Sequence, residues 1–286
     1  MRESVTGYRA CINLLLLCGC ILGFFVLGAR AQKPEGRASE YEASGSLALE
    51  QKNFAAAARD FRSALKLDPS SAAAHSGLGI ALRESGHPSE AISEFQQAAK
   101  LEPNGWEPRY LLAQTFILLG EFKNAIGELR RVLQLHADYP DALYNLAMAE
   151  RSAGDRNAAT RDFRNLIRLQ PRDPSAHLQL GLLLREAGDR WVAITEFQSA
   201  SALEPQNLRI RYEVAWTLTE LQHFDEALAE LQGVLRVDPR YALGHYGVGV
   251  VYELTDDRDK GASEFREAIR LEPNFAEAHI HLAHVL

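Results

Sequence analysis

Nine histidines are the residues most able to do chemistry in this chain. Three of them, His279, His281 and His284, crowd into its last eight residues. A zinc ion would need three or four ligands converging on one point. On a helix only His281 and His284 share a face, and no carboxylate or thiol is read as accompanying them, so no metal is expected. Four of the nine, His75, His177, His245 and His279, recur at intervals that are multiples of 34 residues. A catalytic side chain has no reason to recur with a structural period, so these read as structural. Gly244, Gly247 and Gly249 resemble a nucleotide loop by letter, but no strand precedes them. Neighbouring charges such as Arg83 with Glu84, or Arg185 with Glu186, read as solvated helix surface. No phosphate-loop, metalloprotease or nucleophile-elbow string occurs. Neither catalysis nor a cofactor is expected.

The elements around these residues follow one period. Pro69, Pro103, Pro171, Pro205, Pro239 and Pro273 stand on a 34-residue comb whose only empty tooth is Ala137. If each proline is position 32, units begin at Ala38, Ala72, Trp106, Pro140, Pro174, Leu208 and Ala242, with a partial eighth at Ala276. Position 8 is always Gly or Ala, from Gly45 to Ala283. Position 20 is Ala from Ala57 to Ala227 and then Gly261. Position 24 is Phe61, Phe95, Leu129, Phe163, Phe197, Leu231 and Phe265. Small residues at 8 and 20 let two antiparallel helices approach, and the large residue at 24 fills the space between one pair and the next. Gly86, Gly120, Gly154 and Gly188 at position 15 suit a left-handed cap ending the first helix. The proline at 32 cannot continue the second helix. Asp173-Pro174 reads as an N-cap followed by proline at the first helical position.

These columns resemble the tetratricopeptide repeat over residues 38–286. The pattern departs from it at Ala137, at Gly261, and in the first repeat, where Ser44 takes the place of a large residue. The expected fold is an all-α, right-handed solenoid of about seven helix–turn–helix units plus a partial eighth. Each unit hides its apolar face only on its neighbours, so the first repeat is expected to fray. The resemblance implies that an extended peptide or partner helix would bind on a concave face built from first helices. Its groove columns include positions 5, 9 and 12. Position 5 holds Tyr110, Tyr144, Leu178, Tyr212 and Tyr246, and position 9 holds Gln114, Met148, Leu182, Trp216 and Val250. Arg83, Arg151 and Arg185 stand at position 12. Two readings of the stripe are open, a tyrosine-rich binding trough or packing between adjacent first helices. The family's carboxylate clamp takes Lys at 5 and Asn at 9; this chain has neither.

Composition bounds the rest. Hydrophobic residues at 47% and charged residues at 24% fit a folded chain. The net charge of -7 and the lack of a basic run argue against nucleic acid as a partner. Residues 1–31 read as a targeting segment, with Arg2 and Arg9 ahead of an apolar run from Cys11 to Ala29 and an Ala29-Arg30-Ala31 cleavage pattern. Cleavage, retention as an anchor through residues 11–29, and lipidation at Cys20 are three readings of it. All place the body outside the cytoplasm, with residues 32–37 as a short linker. All three cysteines fall in this segment, so the body has no thiol to oxidise. The expected role is a non-catalytic interaction scaffold of the bacterial cell envelope, periplasmic or membrane-anchored. Two alternatives are the repeat arm of a longer enzyme or assembly factor, and a homo-oligomer formed through the incomplete eighth repeat.

Overall fold

The computed structural model describes residues 34–286; the targeting segment, its cysteines and its cleavage pattern lie outside them. Fifteen α-helices and no strand occur among the described residues. They pair as α1 Pro34–Glu50 with α2 Phe54–Leu67, α3 Ala72–Glu84 with α4 Pro88–Leu101, and α5 Glu107–Leu118 with α6 Phe122–Leu135. Next come α7 Pro140–Ser152 with α8 Arg156–Leu169, α9 Pro174–Ala187 with α10 Arg190–Leu203, and α11 Leu208–Glu220 with α12 Phe224–Val237. The last pair is α13 Ala242–Leu254 with α14 Arg258–Leu271, and α15 Ala276–Val285 begins the eighth unit. Every second helix spans positions 17 to 30, so the register inferred from the proline comb holds. Helix α1 starts at Pro34, inside the segment read as a linker.

The turn between paired helices passes through the left-handed region in all seven repeats. Gly86, Gly120, Gly154 and Gly188 adopt φ of 85°, 74°, 89° and 93° there, and Lys52, Gln222 and Asp256 adopt 58°, 63° and 62°. The geometry is thus set by the architecture, and glycine only makes it cheaper. Asp173 caps α9 by accepting from the amides of Ser175 and Ala176. Helix α6 ends at Leu135 even though Ala137 replaces the proline. There Trp106, Tyr110, His136 and Tyr139 gather edge to face, with Trp106 and Tyr139 centroids 4.7 Å apart.

Position 24 is the plug of each unit. Phe95, Phe163, Phe197 and Phe265 are fully buried, each worth roughly 2 kcal/mol of hydrophobic transfer. The plug lies on position 8 of its own repeat. A Cβ on Gly79, Gly181 or Gly249 would stand 2.6, 2.5 or 2.6 Å from the ring of Phe95, Phe197 or Phe265. Where position 8 is Ala113 or Ala215 the plug is the smaller Leu129 or Leu231, whereas Ala147 keeps Phe163. The plug also reaches position 6 of the next repeat, as the Phe61 ring does beneath Gly77 and Leu231 beneath Gly247.

First helices of successive repeats meet directly in five junctions, α1 with α3, α3 with α5, α5 with α7, α11 with α13 and α13 with α15. No two second helices approach comparably. The stack therefore curves with the first helices inside. The inner approach is loosest around α9.

Candidate functional site

The inner face is built from positions 5, 9 and 12 of the first helices, one turn apart on one side of each. The structure divides them. Tyr212, Tyr246 and Val250 are buried. Trp216 lies between the two tyrosine rings at 5.9 Å from each, nearly parallel to both. This C-terminal part of the stripe is packing. Tyr110 accepts a hydrogen bond from Asn145 Nδ2 at 2.9 Å and joins the Trp106–Tyr139 cluster. Burial pushes the phenols of Tyr110, Tyr144, Tyr212 and Tyr246 up, so they act as neutral hydroxyls. Tyr144, Met148, Leu178, Leu182 and Gln114 are partly exposed. Four of these five lie on α7 and α9, where the first helices stand furthest apart.

The position-12 arginines are engaged within the protein. Arg151 Nη1 donates to Gln179 at 2.6 Å and Nη2 to Glu186 at 2.8 Å, from α7 to α9. Arg156 adds a second donor to Glu186 at 3.1 Å. Arg185 donates to buried Glu213 of α11 at 2.7 Å and sits 5.8 Å over the Phe197 ring. Arg190 reaches Glu220 at 2.9 Å. This corrects the pairing expected from adjacency, because Arg185 reaches forward to Glu213 and leaves Glu186 to the preceding repeat. Arg83 does pair with its neighbour Glu84 at 3.1 Å, and also donates to Gln114 at 3.4 Å. Where the inner helices separate, arginines span the gap. Burial raises the Glu186 carboxyl, but hydrogen bonds from Arg156 and Arg151 outweigh it and hold it below its usual value.

The repeated histidines are clamps. His177 Nδ1 lies 2.6 Å from Glu196 of its own second helix, and Nε2 lies 3.2 Å from the carbonyl of Pro171 in the preceding repeat. His75 and His245 do the same with Glu94 and Pro69, and with Glu264 and Pro239. Both ring nitrogens face acceptors, an arrangement fully donated only by the imidazolium. Arg109 and Arg211 replace histidine in repeats 3 and 6 and reach Glu128 at 3.0 Å and Glu230 at 3.3 Å. The terminal histidines need a correction. A carboxylate does accompany them, because Glu253 accepts from His281 at 2.6 Å and also from His284. Both Nδ1 atoms are spent on it, and among the described residues no group of side chains is arranged to hold a metal. Two open hollows, about 540 Å³ beside Thr255 to Asp259 and about 490 Å³ beside Gly120 to Asn124, lie at turns between paired helices.

Comparison with known proteins agrees with this geometry. Residues 48–115 and 184–246 match one tetratricopeptide-repeat family model, and residues 144–207 match a second. The chain belongs to the tetratricopeptide-repeat family. This tetratricopeptide-repeat chain is 26% identical to MamA, whose crystal structure aligns with 58% of this chain and 96% of MamA at a TM-score of 0.55. YrrB, described as a TPR protein with an unusual peptide-binding site, is 22% identical over 67% of this chain and 98% of its own, with a TM-score of 0.56. A tetratricopeptide repeat protein from Parabacteroides merdae shares the fold over 87% of this chain and 99% of its own, with a TM-score of 0.61 at 16% identity. No curated protein matches the sequence.

The sequence reading missed one charged centre. Glu150, at position 11 of repeat 4, is fully buried where the other repeats carry Ala48, Leu82, Phe116, Leu184, Leu218 and Tyr252. Aligning position 11 would have exposed it.

Proposed function

We propose that this chain is a non-catalytic scaffold that takes an extended peptide or a partner helix along its inner face in the bacterial cell envelope. One observation carries the reading: Tyr144, Met148, Leu178 and Leu182 form a partly exposed apolar strip where α7 and α9 separate. An incoming apolar side chain seated there would displace water from a wall already held in place. The arginine–glutamate bridges beside the strip are internally matched, so they offer polar rim and orientation. Export rests on the sequence of residues 1–31 alone. Met148→Glu with Leu182→Glu tests the groove at two partly exposed positions that rest on the second apolar cluster. Envelope extract passed over the parent and the double variant, with helicity checked by circular dichroism, is expected to lose specific partners on the variant. Identical partners on a folded variant would remove the inner face from consideration. Fractionation of cells expressing the full chain checks the location; a body found in the cytoplasm contradicts the envelope assignment.

A further inference from the structure

Position 23 is acidic in every repeat, and its length follows position 4. Glu94, Glu128, Glu196, Glu230 and Glu264 occur where position 4 is His75, Arg109, His177, Arg211 and His245. Where position 4 is Tyr41 or Leu143, the acid shortens to Asp60 or Asp162. Asp60 then accepts from Ser44 at 2.7 Å. Asp162, buried on α8, accepts from Asn165 at 3.3 Å and Arg161 at 3.4 Å, and also faces Glu150.

Glu150 occupies an apolar position on α7 and is 0% exposed. Its Oε1 accepts from Arg130 of α6 at 2.8 Å, while Oε2 is buried without a hydrogen bond of good geometry. Burial, aided by Asp162 and opposed by Arg130, raises its carboxyl from the ordinary 4.5 to about 7. The next residue along α7, Arg151, is turned to Gln179 and Glu186 of α9. The site lies where the core divides. Helix α7 gives Ala142, Leu146 and Ala149 to the N-terminal apolar cluster, and Leu143 and Ala147 to the next.

We propose that Glu150 and Asp162 form a proton-operated joint in the middle of the stack. While one proton stays on the pair, α7 remains seated between α6 and α8. When the proton passes to solvent, two buried carboxylates face each other with Arg130 donating to one and Arg161, itself largely exposed, to the other, and α7 loosens on the side toward α9. The partly exposed strip of Tyr144 and Met148 lies on that same helix, so acidity would set how firmly this wall is held. The joint does not depend on the groove binding anything.

Hydrogen exchange on the full chain between pH 5 and 7.5, corrected for the intrinsic rate, tests it. Opening of residues 140–169 is expected to rise by up to about tenfold per pH unit and to level off above about 7. Residues 54–67, which contain no histidine, serve as the internal reference and are expected to lack this rise. Asp162→Asn, which leaves Glu150 buried, is expected to reduce it, and Glu150→Gln to flatten it. Glu150→Leu, which installs the residue found in repeats 2, 5 and 6, is expected to do the same if the polar variants fail to fold. A parent whose residues 140–169 follow the reference overturns the joint, as does a folded Glu150 variant that keeps the parent's dependence.

Discussion

Gly181 lies under the Phe197 ring so closely that a methyl group on its Cα would stand 2.5 Å from Cε1. The same chain solves this packing a second way, with Ala215 under Leu231. Gly181→Ala is therefore expected to cost about 1–3 kcal/mol through overpacking. Phe197→Leu alone is expected to cost about 1–2 kcal/mol through the space it leaves. The double variant should recover part of both losses, a coupling of about 1 kcal/mol in a double-mutant cycle. Urea denaturation measures it; strictly additive losses would mean the two positions do not share one space.

Gln222 makes the same left-handed turn that Gly188 makes, with φ of 63° against 93°. A side chain in that region costs about 1 kcal/mol, which glycine avoids. Gln222→Gly is expected to raise the melting temperature by a few degrees. Gly188→Ala should lower it by a similar amount. Calorimetry on both variants checks the sign, and a destabilised Gln222→Gly would show that the side chain holds the turn in some other way.

His177 ties its own second helix to the preceding repeat through Glu196 and the Pro171 carbonyl. Replacing it with Phe leaves a largely buried carboxylate and a carbonyl without their donor, at about 1–3 kcal/mol. His177→Arg is expected to cost far less, since Arg109 and Arg211 already fill this position. Chemical denaturation ranks the three proteins. Equal stability of the Phe and Arg variants would reduce the clamp to mere packing.

Glu186 receives Arg151 and Arg156 across the gap between α7 and α9. Its carboxyl is held below the usual value by those two hydrogen bonds. The stability it confers is present above the ordinary carboxylate range and disappears as pH falls through the lowered value. Because Glu186 is about one-third exposed (35%), screening limits the effect to about 0.5–1 kcal/mol. Glu186→Gln should be less stable than the parent at pH 7 and indistinguishable from it near pH 2. A difference that persists at pH 2 would assign the effect to packing.

Much of this was legible because a repeat writes its own alignment. The proline comb located Pro174 as the first residue of α9 and Gly188 as its left-handed end, and both stand there. The columns at 8 and 24 marked Gly181 and Phe197 as a small and a large packing position, but not that they meet within one repeat. Partner choice across repeats was not legible. Arg185 beside Glu186 looks like a surface pair, yet the curvature of the stack sends it to Glu213, 28 residues away. Histidines 281 and 284 seemed to lack a carboxylate because Glu253 reaches them from the preceding unit. Along the stripe, Tyr212 and Tyr246 stack on Trp216 while Tyr144 and Met148 are partly exposed, a division that the columns do not show. Side-chain direction in a curved stack depends on the spacing between inner helices, which no single column encodes.

Phe61 presses on Gly77, and Leu231 on Gly247, so each unit carries a mould for the one before it. Units of equal length are for that reason not exchangeable cassettes. Excising residues 174–207 would preserve the count of 34 and every helix boundary, yet it would bring Glu213, in place of Gln179, to position 6 of the unit that follows Phe163. A shuffled chain would be correct in length and wrong at the seam; the order of the repeats is itself inherited information.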